Sequence, residues 1–390
     1  METKRVRSSD IPVLHLKGPA RERGRAHGET LRASIHSMIE KWQANIAADL
    51  GTDPDLFLRQ LVEETDFFPA VRRWTPDLLE EVEGIAEGAA APFHIIFARQ
   101  LSDEEPWFRW EKKLGRGWGW REPSGQAERC TSLGVQPAAG RPAIAAQNMD
   151  SPAYYDGHQV LLHITYPDSD LEALIFTIGG KISLAGMNNA PLAMCCNTVL
   201  QLDYAKDGLP EDFIVRGFLG QRHWQDGLAF LRRVKHASGQ NYIVAGQDQV
   251  LSLECSAGGI ADFVPYPGAD RTFHTNHPLA NDDQGIHRQR LAAMTPAQVA
   301  AYHASLTTHA RFEALQRRFG RPEAPVTVEA IEEALSTHEG PVCIDGAGDK
   351  ITLGCLIMAM TPAPTLSLAP GPPCSTAFAT HPLPPLRNLQ

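Results

Sequence analysis

No two cysteines in this 390-residue chain stand in the Cys-x-x-Cys spacing of a zinc or redox motif. The seven cysteines, at 130, 195, 196, 255, 343, 355 and 374, are odd in number and scattered, which fits reduced thiols better than a disulfide framework. No Asn-X-Ser/Thr acceptor is present. The basic opening "METKRVRSSDIPVLHLKG" is not followed by the apolar core of a signal peptide. No unbroken apolar run approaches the roughly 18 residues of a membrane helix. These absences lead to the expectation of a cytoplasmic protein with no membrane partner. A basic patch is missing too: the net charge is -10 and charges of both signs are interleaved, so nucleic acid is not an expected partner. There is no Gly-x-Ser-x-Gly elbow and no His-Glu-x-x-His. The glycines of "KGPARERGRAHGE" do not form a dinucleotide fingerprint, so no cofactor is implied. No 20–50-residue period recurs, which sets repeat architectures aside.

What is present is globular, with 43% hydrophobic and 21% charged residues and length for one large domain or two ordinary ones. The N-terminal third reads as helical. Leu31, Ile35, Met38, Ile39, Trp42 and Ile46 follow helical spacing. "TPDLLEEVEGIAEGAAA" starts with Thr75 as N-cap and Pro76 at the first helical position. From about residue 105 the pattern breaks into "EEPWFRWEKKLGRGWGWREPSGQAER", rich in Trp, Gly and charge, with no clear period. After Cys130 short apolar or alternating runs bounded by Gly, Pro, Asn or Asp predict strands: "PAIAAQNMD", "HQVLLHITYP", "LEALIFTIGG", "PLAMCCNTVL", "QNYIVAGQDQVLSLECS" and "GIADFVPYPG". A helix pair is expected in "EDFIVRGFLGQRHWQDGLAFLRRV", more helix in 295–338, and strands at the end. Strands grouped with helix pairs favour an α+β layered domain over an alternating doubly wound one.

Cys130, in "RCTSLGV", sits where the Trp/Gly segment meets the first predicted strand of this half. It is either a nucleophile or a buried cysteine, and Cys-Thr-Ser by itself carries no mechanism. Asp150 ends the next strand, which brings a carboxylate back towards Cys130 if the two strands pair. His274 and His277 in "FHTNHPL" invite a metal, although no carboxylate or cysteine stands at matching spacing. Cys195 and Cys196 read as strand filler.

Taken in order, the segments resemble the acyl-coenzyme A:6-aminopenicillanic acid acyltransferase family, also called the isopenicillin N acyltransferase or peptidase C45 family of N-terminal nucleophile hydrolases. "LKGPARERGRAHGE" is similar to its glycine-bearing opening through Gly18, Gly24 and Gly28. "RCTSLGV…AAQNMD" resembles its Cys-Thr start and following Gln-Asn-x-Asp. "GMNNAPLAMCCNTV", "SGQNYIVAG", "LSLECS", "HTNHPL" and "APGPPCSTAF" fall in the family's order. Two positions depart from it: Arg129 stands where Gly usually precedes the nucleophile, and Pro191 stands where a second Gly is common.

The resemblance implies a four-layer αββα sandwich made as an inactive precursor. The Cys130 thiol would attack the carbonyl of Arg129 and leave an α-chain of residues 1–129, ending in a Trp/Gly-rich linker near 105–129, and a β-chain of 130–390. The two chains would form one composite domain. Cys130 would then supply both thiol nucleophile and α-amine base, an amine with a reference pKa of roughly 7.7–8.0. The family pattern points to Asn241 as oxyanion donor, with Asn276 as the second candidate, and to Asp150 as a partner of the new α-ammonium or of the cleavage step. Thr131 would orient the cleaved end or pack in the strand. Trp107, Trp110, Trp118 and Trp120 would wall an acyl pocket or belong to a loop. Glu254 and Arg216 would meet a polar part of the substrate or form surface ion pairs. The expected partner is a small linear amide, an N-acylated amine or amino acid, hydrolysed through a thioester. Acyl transfer to a second amine, an unprocessed amide-binding relative, and a metal-dependent amidase using His274 and His277 remain as alternatives, and oligomeric state stays open.

Overall fold

A computed structural model of the chain describes residues 8–115, 129–167, 169–324 and 326–387. Strand β1 (Val13–Lys17) leads into α1 (Ala20–Thr30), α2 (Arg32–Leu50), α3 (Pro54–Glu63), α4 (Phe67–Trp74), α5 (Pro76–Ala89), α6 (Phe93–Arg99) and α7 (Glu105–Gly115). A run of strands follows: β2 (Arg129–Val135), β3 (Ala143–Pro152), β4 (Gln159–Thr165), β5 (Glu172–Ile178), β6 (Ala185–Asn188) and β7 (Leu192–Thr198). The pair α8 (Glu211–Leu219) and α9 (Trp224–Arg233) precedes β8 (Gln240–Ala245), β9 (Val250–Cys255), β10 (Ile260–Asp262) and β11 (Arg271–His274). Helices α10 (Gly285–Ala292), α11 (Pro296–Ser305), α12 (Thr308–Phe319) and α13 (Val328–Leu335) come before β12 (Lys350–Met360), β13 (Thr365–Ala369) and β14 (Ala379–Pro382).

The strands form two sheets, one in the order β1-β4-β5-β6-β7-β8-β9-β10 and the other β11-β2-β3-β12-β13-β14. All pairings are antiparallel except β1 with β4, so residues of the N-terminal segment belong to the larger sheet. Alternation along each strand divides the apolar side chains between two cores. Met149, Leu174, Phe176, Ile243, Val250, Leu356 and Met358 meet between the sheets. Leu133, Val135, Ile144 and Ile357 face outward onto Leu315 and Phe319 of α12 and Ile331 and Leu335 of α13. On the far side of the larger sheet, Leu162, Ile175 and Val244 pack against Ile39, Leu58, Val82, Phe97 and Phe213 of the other helices. The result is the expected four-layer αββα sandwich. No helix among the described residues is long and apolar enough to cross a membrane.

The glycines of the opening segment serve packing. A Cβ on Gly24 would lie 1.9 Å from the Glu81 carbonyl oxygen, and one on Gly28 2.3 Å from that of Ile85. Gly84 and Gly88 of α5 make the reciprocal approach to α1, so the two helices cross backbone to backbone, a distance that side chains forbid. The long helix expected across Leu31 is instead two, broken between Thr30 and Arg32. Residues 105–115, which show no clear period in sequence, are helical. Their inward face includes charges, because Arg109 is bonded by Glu105 and donates to Asp49 at 3.2 Å, while Lys113 reaches Asp49 at 2.6 Å. Pro191 fits because the Asn188 side chain closes the β6–β7 turn, accepting from Ala190 N at 3.0 Å and Leu192 N at 3.1 Å.

Candidate active site

Cys130 is the second residue of β2, paired with Met149 of β3, and its side chain points into the space between the sheets. It is 2% exposed. The facing direction is set by the same alternation that sends Ser132, two residues on, across to Asn197 Oδ1 of β7 at 2.5 Å. The Cys130 N–H donates to Asn276 Oδ1 at 3.0 Å. Arg311, on α12, donates through Nη1 to the Cys130 carbonyl oxygen at 2.5 Å and to Thr131 Oγ1 at 3.1 Å. Its Nη2 donates to the same Asn276 Oδ1 at 2.6 Å. Both backbone polar groups of Cys130 are thus held by one asparagine and one guanidinium, 1% exposed.

Asn276 is itself fixed from three directions. Its backbone N–H donates to Thr308 Oγ1 at 2.7 Å, its Nδ2 to the Thr198 carbonyl oxygen at 2.9 Å, and its loop is anchored by Glu254. That carboxylate accepts from the backbone N–H groups of Leu279 at 2.6 Å, Ala280 at 2.9 Å and Asn281 at 2.6 Å. His274 Nε2 bonds the same carboxylate at 2.7 Å, and its Nδ1 reaches the Thr275 carbonyl oxygen at 2.8 Å. Burial pushes the Glu254 carboxyl up, but His274 and the amides outweigh it and hold it below its ordinary range. Glu254 therefore shapes the loop that carries Asn276. His277 contacts Thr308 Oγ1 at 2.9 Å, and burial together with neighbouring His309 lowers it to about 3. Both rings of the "HTNH" motif are committed to protein groups, and neither belongs to the His/Cys cluster among the described residues with metal-ligand spacing.

Asn241 lies in register with Asn197 across β7 and β8. It accepts from Ser252 Oγ at 2.8 Å and donates from Nδ2 to Asn197 Oδ1 at 3.3 Å. The Asn197 amide nitrogen is buried with no partner among the described residues. Asn197 and Arg311 are the two residues here that sequence reading missed. Arg311 left a signal: Thr308, Arg311 and Leu315 share one buried stripe of α12, and an arginine on such a stripe needs an acceptor inside.

Other candidates face away from the Cys130 thiol. Asp150 is in register with Arg129, one residue off Cys130, so it faces the outer helices. It accepts there from Thr352 Oγ1 at 2.6 Å. Thr131 shares that outer face. Arg216, on α8, is buried behind the larger sheet and donates to Glu81 Oε1 at 2.9 Å and to the Ile182 carbonyl oxygen at 2.9 Å. It does not join Cys130. Trp107 stacks on Tyr204 with centroids 4.6 Å apart, and Arg290 lies over Trp107 and, at 4.0 Å, Trp110. Trp118 and Trp120 fall outside the described residues.

Behind the end of β7, on its helical side, lies a group of buried carboxylates. Asp103 accepts from Thr198 Oγ1 at 2.8 Å and Gln240 Nε2 at 2.6 Å; Glu104 accepts from Ser238 Oγ at 2.7 Å. Lys181 Nζ lies 3.1 Å from Asp212. Burial and the neighbouring Asp103 push Glu104 up to about 8, and burial pushes Asp212 up to about 6 despite Lys181. Burial and the adjacent Asp212 raise Glu211 further.

Residues 141–361 match the family described as acyl-coenzyme A:6-aminopenicillanic acid acyl-transferase, more than half of the chain. The match begins after Cys130 and includes Asp150, Asn197, Asn241, Asn276 and Arg311. No protein with a curated description matches the sequence. Among solved structures, a mutant of the conjugated bile acid hydrolase from Clostridium perfringens is similar at 10% identity, over 65% of this chain and 96% of that one, with a TM-score of 0.41. A second variant of the same hydrolase is similar at 11% identity, over 67% and 99%, with a TM-score of 0.39. Penicillin V acylase from Agrobacterium tumefaciens is similar at 11% identity, over 61% and 82%, with a TM-score of 0.31.

Proposed function

The chain belongs to the acyl-coenzyme A:6-aminopenicillanic acid acyl-transferase family, an enzyme family of amide-bond acyl chemistry, and from that premise we propose that it is a self-cleaving N-terminal cysteine amidohydrolase. Its substrate is a small N-acylated amine or amino acid. The observation that carries this reading is the hold on Cys130: Asn276 Oδ1 at 3.0 Å from its nitrogen and Arg311 at 2.5 Å from its carbonyl oxygen.

In the maturation step the Cys130 sulfur adds to the Arg129 carbonyl carbon, and the C–N bond to Cys130 breaks as its nitrogen takes a proton. Water then hydrolyses the resulting thioester, freeing the thiol and leaving Arg129 as a carboxyl terminus. The products are an α-chain of 1–129 and a β-chain of 130–390. The freed α-amine has a reference pKa of roughly 7.7–8.0. Asn276 Oδ1 accepts equally from an amide N–H and from an amine, so it orients the nitrogen before and after cleavage. Arg311 shares that acceptor, and its positive charge disfavours the α-ammonium, so the amine stays available as a base near neutral pH.

In turnover the α-amine takes the thiol proton, the thiolate attacks the substrate carbonyl, and the same proton goes to the leaving amine. The oxyanion that forms needs a directed donor, and losing one typically costs about 2.7–4 kcal/mol in barrier. The Asn197 amide, steered by Asn241, fits that role because its Nδ2 has no partner among the described residues. Asp150 and Thr131 brace the outer face of the β2–β3 pair, and Glu254 is a positioning residue for Asn276.

Intact mass under denaturing conditions tests the proposal. Wild type is expected as two fragments meeting at Arg129/Cys130, and Cys130→Ala as one chain. A single uncut wild-type chain would remove the α-amine base and with it the mechanism. Added hydroxylamine during turnover separates transfer from hydrolysis: an acyl hydroxamate shows that the thioester accepts amines, and its absence at high hydroxylamine leaves water as the acceptor.

A further inference from the structure

The outer face of the smaller sheet carries a second cluster of reactive side chains, on the side away from the Cys130 thiol. His338 and Cys343 lie on the α13–β12 connection and Cys374 on the β13–β14 connection. A ring nitrogen of His338 and the sulfurs of Cys343 and Cys374 all lie within 4.8 Å of one another. His338 and Cys343 share one loop and Cys374 comes from another, with none of the Cys-x-x-Cys spacing that would announce a metal site, which is why sequence reading passed over them.

We propose that His338, Cys343 and Cys374 bind one zinc ion, with a water as the fourth ligand. With Zn–S of about 2.3 Å and Zn–N of about 2.0–2.1 Å, tetrahedral geometry sets ligand atoms roughly 3.5–3.8 Å apart, so a small contraction of this triangle completes the site. Two thiolates and an imidazole select zinc over the hard cations calcium and magnesium, which take oxygen ligands.

The α13–β12 loop is already shaped for it. His338 Nδ1 lies 3.1 Å from the Cys343 carbonyl oxygen, so the ring donates its Nδ1–H there and keeps the Nε2 lone pair for a metal. The Cys343 N–H donates to the Thr337 carbonyl oxygen at 2.8 Å, closing the loop between the two ligands. Asn148 Nδ2 pins the same loop, donating to the carbonyl oxygens of Leu335 at 2.7 Å and Val342 at 2.9 Å. Cys343 is 1% exposed, Cys374 half-buried and His338 exposed, so the ion has a path in and a solvent side for its water. Binding would release the two thiol protons and tie the α13–β12 loop to the β13–β14 turn. This site is independent of the reaction proposed for Cys130.

The test uses the reduced, metal-free full-length protein, titrated with zinc against a chromophoric chelator and separately with cobalt(II). One zinc per chain is expected, with a rise in melting temperature and a tetrahedral sulfur-to-cobalt absorption. Cys374→Ser should weaken zinc binding by more than the roughly 10–100-fold that losing an outer-shell partner costs. His338→Ala, an exposed position that leaves the fold intact, should weaken it as well and leave substrate turnover unchanged. Cys130→Ala should bind zinc as wild type does. A folded, reduced protein that takes up no zinc would overturn the proposal. So would binding that survives both His338→Ala and Cys374→Ser, or binding that disappears with Cys130→Ala. A Cys343–Cys374 disulfide in a protein that refuses zinc would assign the pair to redox chemistry instead.

Discussion

Arg216 and Arg311 are both guanidinium groups sunk to 1% exposure, yet their surroundings differ in kind. Arg216 sits between α8 and α5 against Glu81, which Arg23 also approaches at 2.8 Å. Burial pushes the Glu81 carboxyl up, but Arg216 and Arg23 outweigh it and hold it at about 2. This charge is neutralised on the spot, and the pair fastens α1, α5 and α8 together. Arg311 donates to the oxygens of Cys130, Thr131 and Asn276. In the proposed mechanism its field acts on the Cys130 nitrogen. Arg216 fastens helices, whereas Arg311 reaches across to the strand that carries Cys130.

The sharpest way to break the comparison is to remove each side. Arg311→Leu should cut kcat/KM by about 100-fold, the scale of a misplaced reacting group. Without the guanidinium the α-amine binds its proton more tightly, so the acid limb of the kcat/KM profile should move to higher pH. A limb that stays put while only the plateau falls would make Arg311 structural. Glu81→Ala should instead destabilise the fold by about 3–5 kcal/mol, because two buried arginines lose their partner. Urea unfolding measures that, with the pH limb of any residual activity unmoved.

Stability against pH extends the contrast to the carboxylates behind β7. Glu81 has a folded pKa of about 2, below its ordinary 4.5, so its contribution is present above pH 4.5 and is lost as pH falls towards 2. Glu104 has a folded pKa of about 8, above 4.5, so the fold keeps a proton the unfolded chain releases. Its contribution is present below pH 4.5 and is lost as pH rises to 8. Melting temperatures should therefore fall on both sides, and Glu104→Gln should flatten the alkaline side alone. A smaller effect is expected at Glu254→Gln, where weaker hold on the loop should raise KM and lower kcat together without moving the pH limb. The smallest belongs to native gel filtration. Cleaved chains should elute together and part only in denaturant, because β1 pairs with β4 and Ile39, Val82 and Phe97 share a core with Leu162 and Val244.

Much of this was legible in the sequence and some was not, for local reasons. Strand runs such as "HQVLLHITYP" and "PLAMCCNTVL" carry their own periodicity, and so do α8, α9, α12 and α13. Helix α7 escaped because periodicity counts apolar side chains, whereas Arg109 and Lys113 bury charge against Asp49 on α2. Asp150 was placed on a strand next to Cys130, but pairing register sent its side chain to the opposite face. Glu254 and Arg216 look like surface charges until the loop and the helix that enclose them are in place. The glycines of α1 have a partner only once Gly84 and Gly88 of α5 cross them.

The sequence by itself determined the cysteine proposed to react, Cys130, the strand that carries it and the layered α+β class, since these depend on residue type and short-range pattern. The tertiary structure decided which groups surround that residue. Arg311 meets Cys130 from 181 positions away and Asn276 from 146, and no local spacing encodes either encounter. They meet because a strand alternates its side chains between two faces and a helix commits one stripe to the sheet beneath it. Which buried charge pairs with a carboxylate and which reaches the Cys130 backbone was settled by what those faces enclose.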